Sequence, residues 1–231
     1  MKHLKHIALT ALLTMGSLVS AQAQVRITEW MYNPANSVGE FVEFTNMGST
    51  AVDFGTLSFS FDDSSRLAGS TSLAAFGMVQ AGESVLFTEA AAAVFRTNWA
   101  LSSTVKVIGG NTNNLGRSDE INLYSGTSLL DRLTYNDQGT GSVKGPRTAG
   151  TSGHPGSFAA IGANDATLWV LSTVGDVERS YRSLGGSADI GSPGYTSFAA
   201  AVPEPETYAM LLAGLGLMGA VARRKRAKTT T

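Results

Sequence analysis

The stretches Ile27–Pro34 (ITEWMYNP) and Gly39–Asn46 (GEFVEFTN) decide the fold of this chain. The first is rich in residues that favour strands, and its closing Asn-Pro pair is a turn signal. The second is a nearly continuous apolar run interrupted by Glu43, which is typical of a strand inside a sandwich. We therefore predict two neighbouring strands at the start of the folded body, Val25–Met31 and Glu40–Thr45.

Further short strands separated by turn residues follow, at Leu57–Phe61, Ser84–Thr88, Thr104–Ile108, Glu120–Tyr124 and Leu129–Tyr135. Only Glu89–Trp99 has a helical pattern, since Phe95 and Trp99 fall on one face at i, i+4 spacing. Thr88 precedes this segment as a candidate N-cap. Strands at this spacing fit an immunoglobulin-like arrangement. The predicted fold is an all-β sandwich with one short helix.

The two opening strands resemble the start of the lamin tail domain, and Asp119–Leu123 with Leu130–Tyr135 resembles its closing hairpin. The resemblance spans residues 25–136 and implies an immunoglobulin-like β-sandwich. It implies little about activity, because this domain occurs in nuclear filaments and also as an accessory module of bacterial secreted proteins. A fold alone does not supply a function.

Residues 137–198 read as a loop-rich extension of this body. Gly, Ser and Thr dominate the segment 136–166, and regular signals return at Leu168–Thr173. We expect the extension to pack on the same unit as residues 25–136; a separate small domain is the alternative. Residues 199–201 are interpreted as a linker.

The N-terminus has the pattern of a secretory signal peptide over residues 1–23. Lys2 and Lys5 supply the positive region, an apolar stretch runs from Ile7 to Val19, and Ala21 and Ala23 form a small-x-small cleavage site. The segment predicts export by the Sec machinery and removal by signal peptidase. A buried helix of a cytosolic domain is the alternative.

The C-terminus, residues 202–228, combines three features. Pro203, Glu204 and Pro205 precede an apolar segment, Tyr208–Ala222, which is followed by a basic cluster of Arg223, Arg224, Lys225, Arg226 and Lys228. At about 1.5 Å per residue the apolar segment forms a helix about 23 Å long, short against a hydrocarbon core of about 30 Å. The basic cluster favours a cytoplasmic end, so the body is expected on the far side of the inner membrane.

This arrangement resembles the PEP-CTERM sorting signal, with its Pro-Glu-Pro motif, transmembrane helix and arginine-rich end. The resemblance implies recognition by an exosortase in Gram-negative bacteria that make extracellular polysaccharide. The chain is then a substrate of that enzyme, held transiently at the inner membrane with its body in the periplasm. A permanent C-terminal anchor is the alternative.

Charge and composition exclude several other classes. Residues 25–200 contain 10 Lys and Arg against 16 Asp and Glu, whereas all five charged residues after Ala222 are basic. An acidic body argues against nucleic acid as a partner. The chain has no cysteine, which removes thiol catalysis and cysteine-based zinc sites.

Candidate catalytic residues are few. After removal of the signal peptide His154 is the only histidine, and its Gly-rich surroundings predict an exposed loop. Glu29 and Glu43, on neighbouring strands, face each other either as a glycosidase-like pair or as glutamates that bind backbone groups at the sandwich edge. No cofactor is expected.

Two binding hypotheses remain. Asp62, Asp63, Asp119 and Glu120 fall near strand ends, where oxygen ligands suit calcium, although solvated turn acids are the favoured interpretation. Trp30, Trp99 and Trp169 either stack on carbohydrate or pack in the core, and the core is favoured.

We therefore expect a non-enzymatic exported protein, sorted to the cell surface or the exopolysaccharide matrix, with a structural or adhesive role and extracellular polysaccharide as a candidate partner. A calcium-stabilised carbohydrate- or protein-binding module and a secreted hydrolase using surface carboxylates are the alternatives.

Overall fold

The computed structural model of the chain describes residues 25–35, 39–64, 69–137, 147, 150–185 and 188–199, together with 214, 215 and 218. The predicted signal peptide, the Pro203–Pro205 motif and the basic cluster therefore lie outside the described residues. Gly214, Leu215 and Met218 are helical. Within the described part of the chain, no helix has the length and apolar character needed to cross a membrane.

The described body is built mainly from short strands. In chain order they are β1 Val25–Met31, β2 Phe41–Asn46, β3 Val52–Asp53, β4 Phe59–Asp62, β5 Thr71–Ser72, β6 Met78–Val79, β7 Ser84–Thr88, β8 Lys106–Ile108, β9 Ser118–Ser125, β10 Ser128–Asn136, β11 Gly153–Pro155, β12 Trp169–Leu171, β13 Tyr181–Arg182 and β14 Ile190–Gly191. The helix α1, Ala92–Asn98, lies between β7 and β8. A mostly β body with one helix agrees with the predicted class.

Two sheets enclose the main core. The six-stranded sheet has the order β12-β11-β1-β2-β7-β8 and the four-stranded sheet the order β10-β9-β4-β5. Trp30 of the first sheet stacks on Tyr135 of the second with ring centroids 4.2 Å apart, and Phe61 meets Phe87 edge-on at 5.1 Å. All four side chains are buried. Burial of such large aromatic surfaces between sheets is the main stabilising contribution of a sandwich.

The extension contributes strands to the main sheet. Gly153 of β11 pairs with Trp30 of β1, and β12 pairs with β11 through three residue pairs. The six-stranded sheet thus continues through β11, in the Gly-, Ser- and Thr-rich segment 136–166, and through β12, within Leu168–Thr173, where regular signals return.

The helix packs on the outer face of the six-stranded sheet. Phe95 and Trp99 bury their rings against Phe41 of β2 in a second apolar cluster, which confirms the i, i+4 pairing. The predicted N-cap is wrong: α1 begins at Ala92, and Thr88 stays in β7. The Thr88 hydroxyl donates to the Glu40 carbonyl at 2.7 Å instead, because Thr88 pairs with Phe41 in the sheet.

Candidate functional site

A β-bulge in β1 brings two glutamates face to face. The register between β1 and β2 shifts between Ile27 and Glu29, so that Thr28 is the extra residue and Glu29 lies directly opposite Glu43. Ile27 and its neighbours on β2 belong to the main core. Glu43 lies between the core residues Val42 and Phe44, so it projects from the outer face of the sheet. The bulge interrupts the alternation after Ile27, so Glu29, which precedes the core residue Trp30, projects from the same outer face.

The Glu43 carboxyl group has a complete set of hydrogen-bond donors. Its Oε1 accepts from the Thr28 hydroxyl at 2.6 Å, and its Oε2 accepts from the Gly194 N–H at 2.6 Å. The Thr45 hydroxyl lies 2.7 Å from those of both Thr28 and Ser84. Thr28, the extra residue of the bulge, therefore donates a hydrogen bond directly to the Glu43 carboxyl group.

The two oxygens of the Glu29 carboxyl group differ in their hydrogen bonds. Its Oε1 accepts from the Ser152 hydroxyl at 2.5 Å and from the Ser192 N–H at 2.7 Å. The Ser152 hydroxyl also lies 2.7 Å from that of Ser172. The other oxygen, Oε2, is buried without a hydrogen-bond partner.

Burial shifts the titration of both groups in the same direction. Desolvation raises the pKa of Glu29 well above its ordinary value, and the nearby Glu43 carboxyl group raises it further. Desolvation likewise raises the pKa of Glu43 to about 7, against the opposing effect of its hydrogen bonds. A buried pair of this kind favours holding at least one proton near neutral pH, since two adjacent carboxylates repel each other.

The cover over this pair comes from the C-terminal strap, which we define as residues 190–198. Ser192 and Gly194 of the strap supply the N–H donors described above. Further along, Glu178 is buried and accepts hydrogen bonds from both the N–H (2.8 Å) and the hydroxyl of Ser197. The strap therefore closes the outer face of the sheet above the two glutamates.

The burial of the two glutamates bears on both interpretations of them. Glu29 is 1% exposed and Glu43 is not exposed at all, so they are not surface carboxylates. A glycosidase pair must reach a sugar and a water, and neither reaches these atoms while the strap is in place. Both groups accept backbone N–H groups, as in the alternative interpretation, but they lie on the two central strands of the six-stranded sheet and not at the sandwich edge.

His154 is not the exposed loop residue that the sequence predicts. It lies on β11 and is buried, with Nε2 3.4 Å from Asp176 Oδ2 and Nδ1 3.0 Å from the Pro155 carbonyl oxygen. The prediction fails because β11 pairs on both sides, with β1 and β12, and because the turn carrying Asp176 folds over the ring.

Three of the four calcium candidates, Asp62, Asp119 and Glu120, contact other groups of the protein. Asp62, at the end of β4, accepts from the Ser64 N–H, and Asp119 accepts from the Gly116 N–H at 2.6 Å. Glu120 forms an ion pair with Arg132 at 3.2 Å. Asp63 is close enough to raise the pKa of Asp119, although burial of Asp119 contributes more. In the described ranges, no group of three or more His, Cys, Asp or Glu side chains is placed to hold a metal ion.

A carboxyl group that sequence reasoning missed lies beside these acids. The pKa of Glu40 is raised to about 7, mainly by burial and in addition by the negative charges of Glu89, Asp119 and Asp63. Glu40 Oε2 accepts from the Leu115 N–H at 2.7 Å. The group therefore anchors the loop that precedes β9.

The tryptophans pack in the interior. Trp30, Trp99 and Trp169 are 0%, 1% and 5% exposed, so the three do not form a carbohydrate-stacking face. Trp99 instead accepts, through its carbonyl oxygen, a hydrogen bond of 2.7 Å from the Tyr181 hydroxyl.

A shallow groove lies beside the exposed face of α1. It has a volume of about 480 Å³ and is lined by Ala93, Val94, Thr97, Asn98, Leu184 and Gly185. Val94 and Leu184 are exposed at its rim. The groove is almost wholly apolar and holds no titratable side chain among these residues.

Comparison with known families gives two matches. The lamin tail domain matches residues 19–137, and the PEP-CTERM protein-sorting motif matches residues 201–226. No curated protein and no solved structure matches the chain. The first match covers the sandwich from β1 to β10, and the second covers Pro203, Glu204 and Pro205. The chain belongs to the lamin tail domain family, and its PEP-CTERM motif marks it as an exported, cell-surface-sorted protein.

Proposed function

We propose that this chain is a non-enzymatic structural or adhesive protein that an exosortase delivers to the cell surface or to the exopolysaccharide matrix. The observation that carries the proposal is the PEP-CTERM motif at residues 201–226, in a chain whose residues 19–137 match the lamin tail domain. The matched families are a non-catalytic domain and a sorting signal, so neither supplies a reaction.

The proposed route has three steps. The signal peptide, residues 1–23, directs export and is removed after Ala23. The segment 208–222 then holds the body transiently at the inner membrane, with Arg223 to Arg226 on the cytoplasmic side. Exosortase finally acts near Pro203–Pro205 and releases the body outward.

The described body supports a binding or structural role over catalysis. Its two most suggestive carboxyl groups, Glu29 and Glu43, are sealed under the strap, and its single described histidine is buried against Asp176. Catalytic acids and bases must be within hydrogen-bond reach of a substrate. These groups have no such access.

The mass of the C-terminal peptide of the native protein tests the proposal. In the native host we expect the mature chain to end near Val202–Glu206. Glu204→Ala alters the Pro-Glu-Pro motif and is expected to leave the chain ending at Thr231. Glu206→Ala removes a second glutamate just outside that motif, and it should be processed like the wild type. A wild-type chain that still ends at Thr231 would overturn the proposal in favour of a permanent anchor.

A further inference from the structure

Three buried carboxyl groups accept backbone N–H groups from the same short segment. Glu29 accepts from Ser192, Glu43 from Gly194 and Glu178 from Ser197, at 2.7, 2.6 and 2.8 Å. All three side chains are at least 99% buried. Their partners, Ser192, Gly194 and Ser197, are spread along the strap, so the three bonds hold the strap at several positions rather than at one.

The absence of a side chain at Gly191 lets the strap lie close against Glu29 and Ser152. A Cβ atom at Gly191 would lie 2.8 Å from the Ser152 hydroxyl oxygen and 2.9 Å from Glu29 Oε1, closer than real Cβ contacts allow. Gly194 has φ of +93°, a conformation that glycine adopts without strain. The start of the strap is also tied laterally, because Ile190 and Gly191 form β14 and pair with β13.

The strap ends close to the sorting signal along the chain. The compact body extends to Ala199, and Pro203 follows four residues later. An extended chain spans at most about 3.6 Å per residue, so this connection reaches no further than about 14 Å. Release of residues 190–199 moves the last fixed residue back to Asp189, so the connection to Pro203 lengthens from four residues to fourteen.

We propose that Glu29, Glu43 and Glu178 form a carboxylate clasp that fixes the point at which the sorting signal leaves the folded body. The clasp keeps the chain folded up to Phe198 and confines cleavage to the short connection around Pro203–Pro205. These glutamates are positioning residues, not catalytic ones. The effect of the clasp on cleavage rests on the proposed function. The existence of the clasp rests on the hydrogen bonds described above.

Hydrogen exchange of the full-length protein in mild detergent tests the clasp. Glu43→Leu removes one acceptor. Gly191→Ala keeps all three glutamates in the sequence but places a Cβ against Glu29 Oε1 and the Ser152 hydroxyl, so that the strap and the Glu29 carboxyl group must move apart. In both variants we expect the amides of residues 190–198 to exchange at least tenfold faster than in the wild type, while β1 and β2 keep their protection. Should Glu43→Leu fail to fold, Gly191→Ala decides, because its change lies in the strap and not in the six-stranded sheet.

A matched control is Gly69→Ala, since a Cβ there meets only Asp62 Oδ2, at an ordinary 3.7 Å. It should leave the exchange of residues 190–198 unchanged. Unaltered protection of these residues in folded Gly191→Ala would overturn the clasp.

The mass of the mature C-terminus in the native host tests the role of the clasp in sorting. We expect a single end near Val202–Glu206 in the wild type and ragged ends within 188–199 in Gly191→Ala. A single unchanged end in this variant, with its strap loosened, would overturn that role. A wild-type chain ending at Thr231 would instead overturn the proposed function and the sorting role with it, and the exchange experiment would still decide the clasp.

Discussion

Glu29 of β1 and Glu43 of β2 lie directly opposite each other, buried between the six-stranded sheet and the strap. Two acids in this position are costly unless they are hydrogen-bonded or protonated. Hydroxyl groups of Thr28 and Ser152 and N–H groups of the strap donate to the pair and offset part of this cost, while Glu29 Oε2 has no hydrogen-bond partner. The pair therefore ties the stability of the strap to pH.

The free energy of unfolding is expected to fall as pH rises from about 4.5 to about 7. The pKa of Glu43 is raised from 4.5 to about 7 in the folded state by burial, and that of Glu29 is raised as well. In this window the unfolded chain releases protons that the folded chain retains, so rising pH favours unfolding. The expected loss is on the order of a few kcal/mol. Urea titrations between pH 4.5 and 8.5 measure it.

In Glu43→Gln the free energy of unfolding should fall less steeply as pH rises, because an amide does not titrate. Glu83→Gln is the control: Glu83 forms a partly exposed ion pair with Lys106 at 3.0 Å, and its removal should cost less than about 1 kcal/mol. A Glu43→Gln protein with the same pH profile as the wild type would contradict the assignment.

Sequence patterns predict the strands whose own side chains favour extended structure. β1 and β7 have the predicted bounds, and β2 is shifted by one residue. β11 is not predictable in the same way, because Gly153-His154-Pro155 has no strand pattern and becomes extended through pairing with β1 and β12. Tertiary pairing overrides local preference there.

The candidate site was predictable only in part. Adjacent strands carrying Glu29 and Glu43 indicate that the two side chains face each other. Their burial depends on Ser192, which lies 163 residues from Glu29 along the chain, and no local pattern specifies a contact of that separation. The available signal was the Gly-Ser-Pro-Gly turn at 191–194, which predicts a bend but not its partner.

Gly109→Ala should be far more destabilising than Gly110→Ala. A Cβ at Gly109 would lie 2.3 Å from the Ala90 carbonyl oxygen and 2.4 Å from the Ala92 nitrogen, and backbone at the start of α1 has no room to yield. Gly110 has φ of +82° but open space, so alanine there costs on the order of 1 kcal/mol of backbone strain. Thermal unfolding of the two variants compares them. Equal melting temperatures would contradict the close approach of this loop to α1.

Tryptophan fluorescence should be blue-shifted and poorly quenched by acrylamide. Trp30, Trp99 and Trp169 are all buried, so neither water nor quencher reaches the rings. Titration with extracellular polysaccharide is expected to leave the emission unchanged, even where the polysaccharide binds elsewhere on the surface. Quenching of the native protein as strong as in 6 M guanidinium would contradict the burial of these residues.

Asp131→Ala should destabilise the sandwich more than Asp131→Asn. Asp131 Oδ2 accepts the Ile27 N–H at 2.9 Å, which ties the edge of β10 to β1 just before the bulge. Alanine leaves this buried N–H without a partner, at a cost of about 1–3 kcal/mol, whereas asparagine retains an acceptor oxygen. Urea unfolding measures both variants.

The pKa of Asp131 is itself raised to about 6 by burial. Asparagine, which carries no charge at any pH, is therefore expected to match the wild type most closely below pH 6, where the aspartate is largely protonated. Asp165→Ala is the control, since Asp165 also accepts a backbone N–H, from Thr167 at 3.0 Å, but in an exposed turn where water replaces the lost partner. Equal losses for Asp131→Ala and Asp165→Ala would show that the contact between β10 and β1 contributes no more than a surface turn.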